Sequence, residues 1–289
     1  MNRFPRFWAV MLPALALIAA GCAARAAEGQ DTAAPFTTLQ PVDLRCEDLT
    51  NPVGVDAGSA RLSWRIPPGE RGRAQSAYQI LAASTQENLD QGRGDLLQTP
   101  KVFSIQSHLV PYTGRVPAPG EICWWKVRVW NERGEVSQWS EPAFFVAGIA
   151  AEADWNGAAW MGADWFEDFS GPLPLFRKTL NLSAPPRRAV LHVCALGHFD
   201  GWINSARVGD AALDPAVTDY GKRGLTRAFD VTGLLRAGRN AVGIRLARGW
   251  HSAISRRAGL ESPVVRVRLQ AWLENGEQVE CVSGGDWKM

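Results

Sequence analysis

Apolar and polar residues alternate with a period of two through most of this chain. The alternating runs are short and are separated by Gly, Pro and Asn. Over residues 61–66, Leu62, Trp64 and Ile66 fall opposite Arg61, Ser63 and Arg65. Residues 123–130 place Cys123, Trp125, Val127 and Val129 on one face, with Trp124, Lys126, Arg128 and Trp130 on the other. Together with runs at 77–83 and 139–146 and a turn at 131–134, this periodicity predicts a β-sandwich over residues 41–147. A boundary at 147–156 leads to a second series of strands at 176–182, 188–195, 201–204, 226–231, 240–246 and 264–272. In the last of these, Val265, Val267, Leu269 and Ala271 oppose Arg266, Arg268, Gln270 and Trp272. Asn275-Gly276 predicts a hairpin joining that strand to one at 277–282. A single helical turn is expected over 230–236, capped by Asp230 or Thr232. The expected fold is all-β: two sandwiches in tandem, the second, over 154–289, of jelly-roll character.

The N-terminus departs from this pattern. Arg3 and Arg6 precede an apolar run over residues 7–20, which Pro13 interrupts and which is too short to span a bilayer. Residues 1–26 therefore read as a secretory signal. Small residues before Cys22 resemble a bacterial lipobox, which implies lipidation of Cys22 and an outer-membrane lipoprotein. Ala19 stands where such boxes usually have Leu, and cleavage after Ala24-Arg25-Ala26, giving a periplasmic or extracellular protein, is the alternative. Residues 27–40 read as a flexible tether.

Composition narrows the function. A formal net charge of +2 gives no electrostatic reason to bind nucleic acid, and any membrane attachment is through the lipid anchor alone. The pairs Arg187-Arg188 and Arg256-Arg257 read as solvated charge. Cys46, Cys123, Cys194 and Cys281 are spaced too widely for a zinc site, so no metal or other cofactor is expected. Export permits three disulfide pairings among them, whereas the apolar runs around Cys123 and Cys194 suit buried thiols. Arg93-Gly94-Asp95 spells an adhesion tripeptide but reads as a turn. His251-Ser252 are adjacent without a Gly-x-Ser-x-Gly elbow, so no hydrolase triad is supported.

Several segments carry a resemblance. Trp64, YQILAAS (78–84) and WWKVRVWNERGEVSQWSEPAFF (124–145) resemble a fibronectin type III or immunoglobulin-like module. ALGHFDGWINSARVGD (195–210) and DVTGLLRAGRNAVGIRL (230–246) resemble jelly rolls found beside glycosidase catalytic domains. PLFRKTLNL, LDPAVTDYGKRGL (213–225) and ARGWH (247–251) resemble the N-terminal domain of bacterial α-L-rhamnosidases. That family is implied to release terminal α-L-rhamnose with inversion. The reaction needs a general acid and a general base about 6.5–9.5 Å apart. The resemblance places both on a later (α/α) barrel, the expected intramolecular partner, so no catalytic residue transfers to this chain.

The expectation is therefore a non-catalytic N-terminal portion of an exported α-L-rhamnosidase. Its jelly roll would be incomplete at the C-terminus, with an open edge near Ala271 or Val279 and exposed inner-face apolar side chains. The alternative is a standalone surface lipoprotein that binds rhamnose-containing glycans without cleaving them. For either, Trp202, Asp219, Tyr220, Lys222, Arg223, Trp250 and His251 form the candidate carbohydrate-binding set: aromatic faces to stack on sugar C–H groups, with planar or charged groups for the hydroxyls. Asp164, Glu167, Asp168, Asp210 and Asp214 read as turn formers or solvated charge.

Overall fold

The structure, a computed structural model, describes residues 36–68, 73–163, 172–251 and 263–289. Residues 1–26 with Cys22, the loop acids Asp164, Glu167 and Asp168, and Arg256-Arg257 lie outside the described residues.

The first sandwich is built from β1 (Phe36–Thr37), β2 (Val42–Cys46), β3 (Val53–Val55), β4 (Arg61–Arg65), β5 (Gln75–Ala83), β6 (Leu97–Gln98), β7 (Val102–Phe103), β8 (Val110–Pro111), β9 (Ile122–Asn131), β10 (Val136–Ser137) and β11 (Ala143–Ala147). One sheet has eight strands, with β9 between β5, β10 and β11, and faces a three-stranded sheet in the order β2-β4-β8. Along β9 the burial alternates at every residue, and Cys123, Trp125, Val127 and Val129 enter the core as the sequence predicts. Trp64 is buried and its indole N–H donates to Gln75 Oε1 at 2.9 Å, which satisfies both groups.

Two details differ from expectation. The tether ends earlier than residue 40, because β1 pairs in parallel with β10 and Leu39 is buried in the core. The unit also contains a short helix, α1 (Gln86–Asp90), whose cap Thr85 accepts from the Asn88 N–H. The Arg-Gly-Asp turn closes against it: Asp95 accepts from the Ser84 amide and hydroxyl.

The second sandwich comprises β12 (Leu175–Leu182), β13 (Pro186–Leu196), β14 (His198–Ile203), β15 (Ala206–Val208), β16 (Thr226–Asp230), β17 (Gly238–Ala247), β18 (Val264–Leu273) and β19 (Gln278–Val282). These form two antiparallel four-stranded sheets, β12-β17-β14-β15 and β16-β13-β18-β19. Leu191, Val193, Ile244, Leu246, Val267 and Leu269 fill the space between them and are at most 1% exposed. Each such burial contributes roughly 1.5–3 kcal/mol before entropic costs. The Asn275-Gly276 hairpin forms as predicted, with Gly276 at φ 87°. In place of the helical turn is a 3₁₀ turn at Thr232–Leu234, where Asp230 Oδ1 accepts from the Thr232 amide and hydroxyl.

The expected exposure of the inner face is not found. Ala271 lies on β18, interior to its sheet, and is fully buried; Val279 lies on β19, an edge strand. Trp287 covers this end of the core, and Lys288 pairs with Arg177 of β12.

Residues Ala34–Met289 form one compact unit, so the two sandwiches are docked. The outer face of the β16-β13-β18-β19 sheet carries Arg188, His192 and Cys194 on β13 and Arg266, Arg268, Gln270 and Trp272 on β18. Arg188, Gln270 and Trp272 adjoin the first sandwich, and the connecting segment covers Arg266 and Arg268. Gly54 of β3 meets Ala228 of β16, and Gly120 meets Trp272 and Gln270. The connecting segment adds Trp155 and Ala158, which pack on Cys194.

Candidate functional site

The motif that carries the resemblance is first of all a structural device. Asn204 and Ser205, at φ 50° and 80°, make the two-residue turn between β14 and β15, a left-handed pair that matches strand twist. Asn204 donates to Asn240 Oδ1 at 2.7 Å and to Leu234 O at 3.0 Å, and its own Oδ1 accepts from the Ala241 N–H at 2.9 Å. The Ile-Asn turn and the Gly-x-Asn opening of β17 therefore interlock, which explains why they occur together.

The 213–225 segment is likewise folded on itself. The Asp219 carbonyl accepts from the Lys222 and Arg223 amides at 2.8 and 3.0 Å, and Thr218 Oγ1 donates to the Arg223 carbonyl at 2.7 Å. Lys222 Nζ lies 3.1 Å from Asp219 Oδ2, which holds the Asp219 carboxyl below its ordinary range. This pair and the Arg223 side chain are solvent-exposed. Tyr220 is buried and meets His251 edge-to-face, with centroids 5.2 Å apart. Burial pushes the Tyr220 hydroxyl up and the His251 imidazole down. Tyr220 Oη and His251 Nδ1 are buried without a hydrogen-bond partner among the described residues. Trp250 beside them is exposed.

Trp202 belongs to a different surface. It projects from the outer face of the β12-β17-β14-β15 sheet, half-buried, with the Arg245 guanidinium 5.3 Å from its ring centroid. Gly243 stands directly across from it on β17, and nothing lies within 4 Å of where a side chain would be. No hydrogen bond, ion pair or ring contact among the described residues joins Trp202 to Tyr220 and His251. The seven candidates thus fall into a sheet-face group and a strand-end group.

Sequence reading missed the neighbours of Trp202. Asp200 lies two residues before it on the same face and accepts from Arg207 at 3.1 Å and Arg245 at 2.6 Å. Burial alone would raise the Asp200 carboxyl, but these two arginines more than offset it and hold the group low. Starting the strand at His198 instead of Gly201 would have aligned Asp200 with Trp202. Asp214 is also tied, at 2.8 Å from Arg227 Nε. Paired carboxylates such as Asp200 and Asp219 favour the ionised form, the reverse of what a general acid needs. No group of three or more metal-ligating side chains occurs among the described residues.

Comparison with known proteins gives a consistent picture. Residues 41–151 match a family described as the Rha78A-like N-terminal immunoglobulin domain. Residues 184–289 match the alpha-L-rhamnosidase N-terminal domain. An alpha-L-rhamnosidase of Formosa agariphila is 32% identical over 268 residues, covering 83% of this chain and 28% of the relative. One from Alteromonas sp. is 33% identical over 223 residues, covering 74% and 24%. The α-L-rhamnosidase structure from Dictyoglumus thermophilum superposes with a TM-score of 0.78 at 32% identity, covering 86% of this chain and 29% of that one. The Aspergillus terreus enzyme, at 23% identity and a TM-score of 0.71, shares the fold. The chain spans less than a third of the length of the relatives it matches.

Proposed function

Over residues 41–151 and 184–289 the chain belongs to the α-L-rhamnosidase family, and on that premise we propose that it is the non-catalytic, glycan-engaging portion of an exported enzyme of this kind. The observation that carries the reading is the matched pair of domains in the order immunoglobulin-like, then rhamnosidase N-terminal, docked as one unit. Inverting hydrolysis requires one carboxyl held protonated opposite another that activates water. Asp200 is bridged by two arginines, and Asp214, Asp219 and Glu152 each lie against a cation, so none of them suits the acid's role. Catalysis is accordingly assigned to residues outside this chain.

The glycan is proposed to meet two places. Trp202 offers an aromatic surface opened by Gly243 and flanked by Arg207 and Arg245. Trp250, joined to the Asp219–Lys222 pair and Arg223 through the Tyr220–His251 ring contact of their neighbours, offers a second at the strand ends. Rhamnose-containing glycans are the proposed ligand class, and an array of rhamnosides and unrelated glycans probed with the 289-residue chain is the test. Selective binding, weakened in Trp202→Ala or Trp250→Ala, is the expected result, and a flat array overturns the binding role. Release of nitrophenol from a synthetic α-L-rhamnoside by the same chain would overturn the assignment as non-catalytic. Export as a lipoprotein through Cys22 is part of the proposal: metabolic labelling with a fatty acid should be lost in Cys22→Ala, and retained export without labelling points to cleavage after Ala26.

A further inference from the structure

The pair Arg187-Arg188, which the sequence presents as solvated charge, opens onto a cleft of about 430 Å³ between the two sandwiches. Arg187 and Arg188 line it from β13 and Trp272 from β18, while Glu87 of α1 and Glu121 and Trp124 reach it from the first sandwich. The size falls in the range of small-ligand sites, about 300–1,000 Å³.

Arg188 is an unusual cation. Its guanidinium stacks on the Trp272 ring, 3.8 Å from the centroid, and its Nε is buried without a hydrogen-bond partner among the described residues. Glu121 and Asp230 are near enough to act on its charge, yet neither forms an ion pair with it among the described residues. Burial, reinforced by the like charge of Arg187, pushes it down to about 10. A guanidinium held flat against an indole has little freedom left to lose, and its fork is suited to a carboxylate. The opposite wall has a different chemistry: Glu121 Oε2 accepts from the Ala118 N–H at 2.9 Å, leaving Oε1 to accept another bond, and Glu87 lines the cleft from an exposed position. Two acceptors facing two guanidinium groups disfavour a bare inorganic anion and suit a ligand with one anionic end and several hydroxyl donors.

We propose that this cleft binds an acidic saccharide, its carboxylate on Arg187 and Arg188 and its hydroxyls donating to Glu87 and Glu121. The inference rests on the glycan-engaging reading of the chain but uses none of its aromatic candidates. Because each sandwich supplies one wall, the site exists only in the docked molecule.

Calorimetric titration of the 289-residue chain with sodium galacturonate, glucose and sodium sulfate tests it. Galacturonate should bind, glucose should not, and sulfate should bind more weakly than galacturonate. Arg188→Gln should weaken galacturonate binding about tenfold or more, the scale of a lost charge-assisted bond. Should Arg188→Gln fail to fold by circular dichroism, Arg187→Gln, at an exposed position, carries the test with a smaller loss expected. The proposal is overturned by absence of galacturonate binding, by equal binding of glucose or sulfate, or by folded arginine variants that bind as the parent does. If galacturonate fails while the chain still binds rhamnosides on an array, this cleft assignment falls and the broader glycan-binding reading stands.

Discussion

His192 shows how far a residue's surroundings can depart from what its strand suggests. It lies on the outward face of β13, yet it is completely buried. Burial, with a smaller push from Arg268, moves its imidazole from 6.5 down to about 4. Gln270 favours the charged form but makes no well-formed bond to it, and both ring nitrogens are buried without partners among the described residues. The unfolded chain therefore binds a proton between pH 6.5 and 4 that the folded one refuses. Stability contributed by neutral His192 is complete above about pH 6.5 and is lost as pH falls towards 4, by up to about 3 kcal/mol. Urea titrations between pH 7 and 4 should show this slope, and His192→Gln should flatten it; an unchanged slope in the variant assigns the loss to other groups. Arg266 makes a related point. It is clamped between Trp155 and Trp160, donates to Ala158 O at 2.6 Å and forks onto Glu152 at 2.8 and 2.6 Å. Arg266→Ala should destabilise by about 2–3 kcal/mol, since it removes packing and leaves a buried carbonyl unpaired. Glu152→Gln, at an exposed carboxylate, should cost clearly less, and the two melting temperatures decide the order.

At the level of elements, strands were legible because period-two patterning is strong wherever one face is buried. β9, β17 and β18 match their predicted runs to within two residues at each end. What the pattern could not reveal is that arginines and tryptophan on the second face of β18 are also covered. An Arg, Gln or Trp facing a second domain is indistinguishable in sequence from one facing water, because long amphipathic side chains serve both environments. The short helix α1 was missed for a different reason: five residues carry too little periodicity to register. The candidate site divided for a similar cause, since adjacency along the 195–251 motif does not say which sheet face or loop end receives each aromatic. Glycines mark the hidden contact. At Gly54, φ is 89° and an added Cβ would lie 2.5 Å from Ala228 Cβ. Gly54→Ala should therefore cost about 2 kcal/mol or more from backbone strain and the clash combined. Ala228→Gly in that background should recover part of the loss, leaving the strain; no recovery places the cost in β3 alone.

For the whole molecule, the docked surface predicts that unfolding is shared. Separating the sandwiches would uncover Gln270 and the Arg188–Trp272 stack and open the Gly54–Ala228 contact, so neither sandwich has a free outer surface there. Calorimetry of the chain should show one transition with calorimetric and van't Hoff enthalpies in agreement. Two resolved transitions would mean that the contact is weak. Gly120, at φ 79° and with Trp272 and Gln270 at 2.6 and 2.8 Å from a would-be Cβ, sets a practical limit on engineering. Any scheme that shuffles leading modules among relatives must transfer residues 36–289 as one block. A chimera joined at the apparent linker around residue 150 would inherit a surface fitted to a neighbour it no longer has.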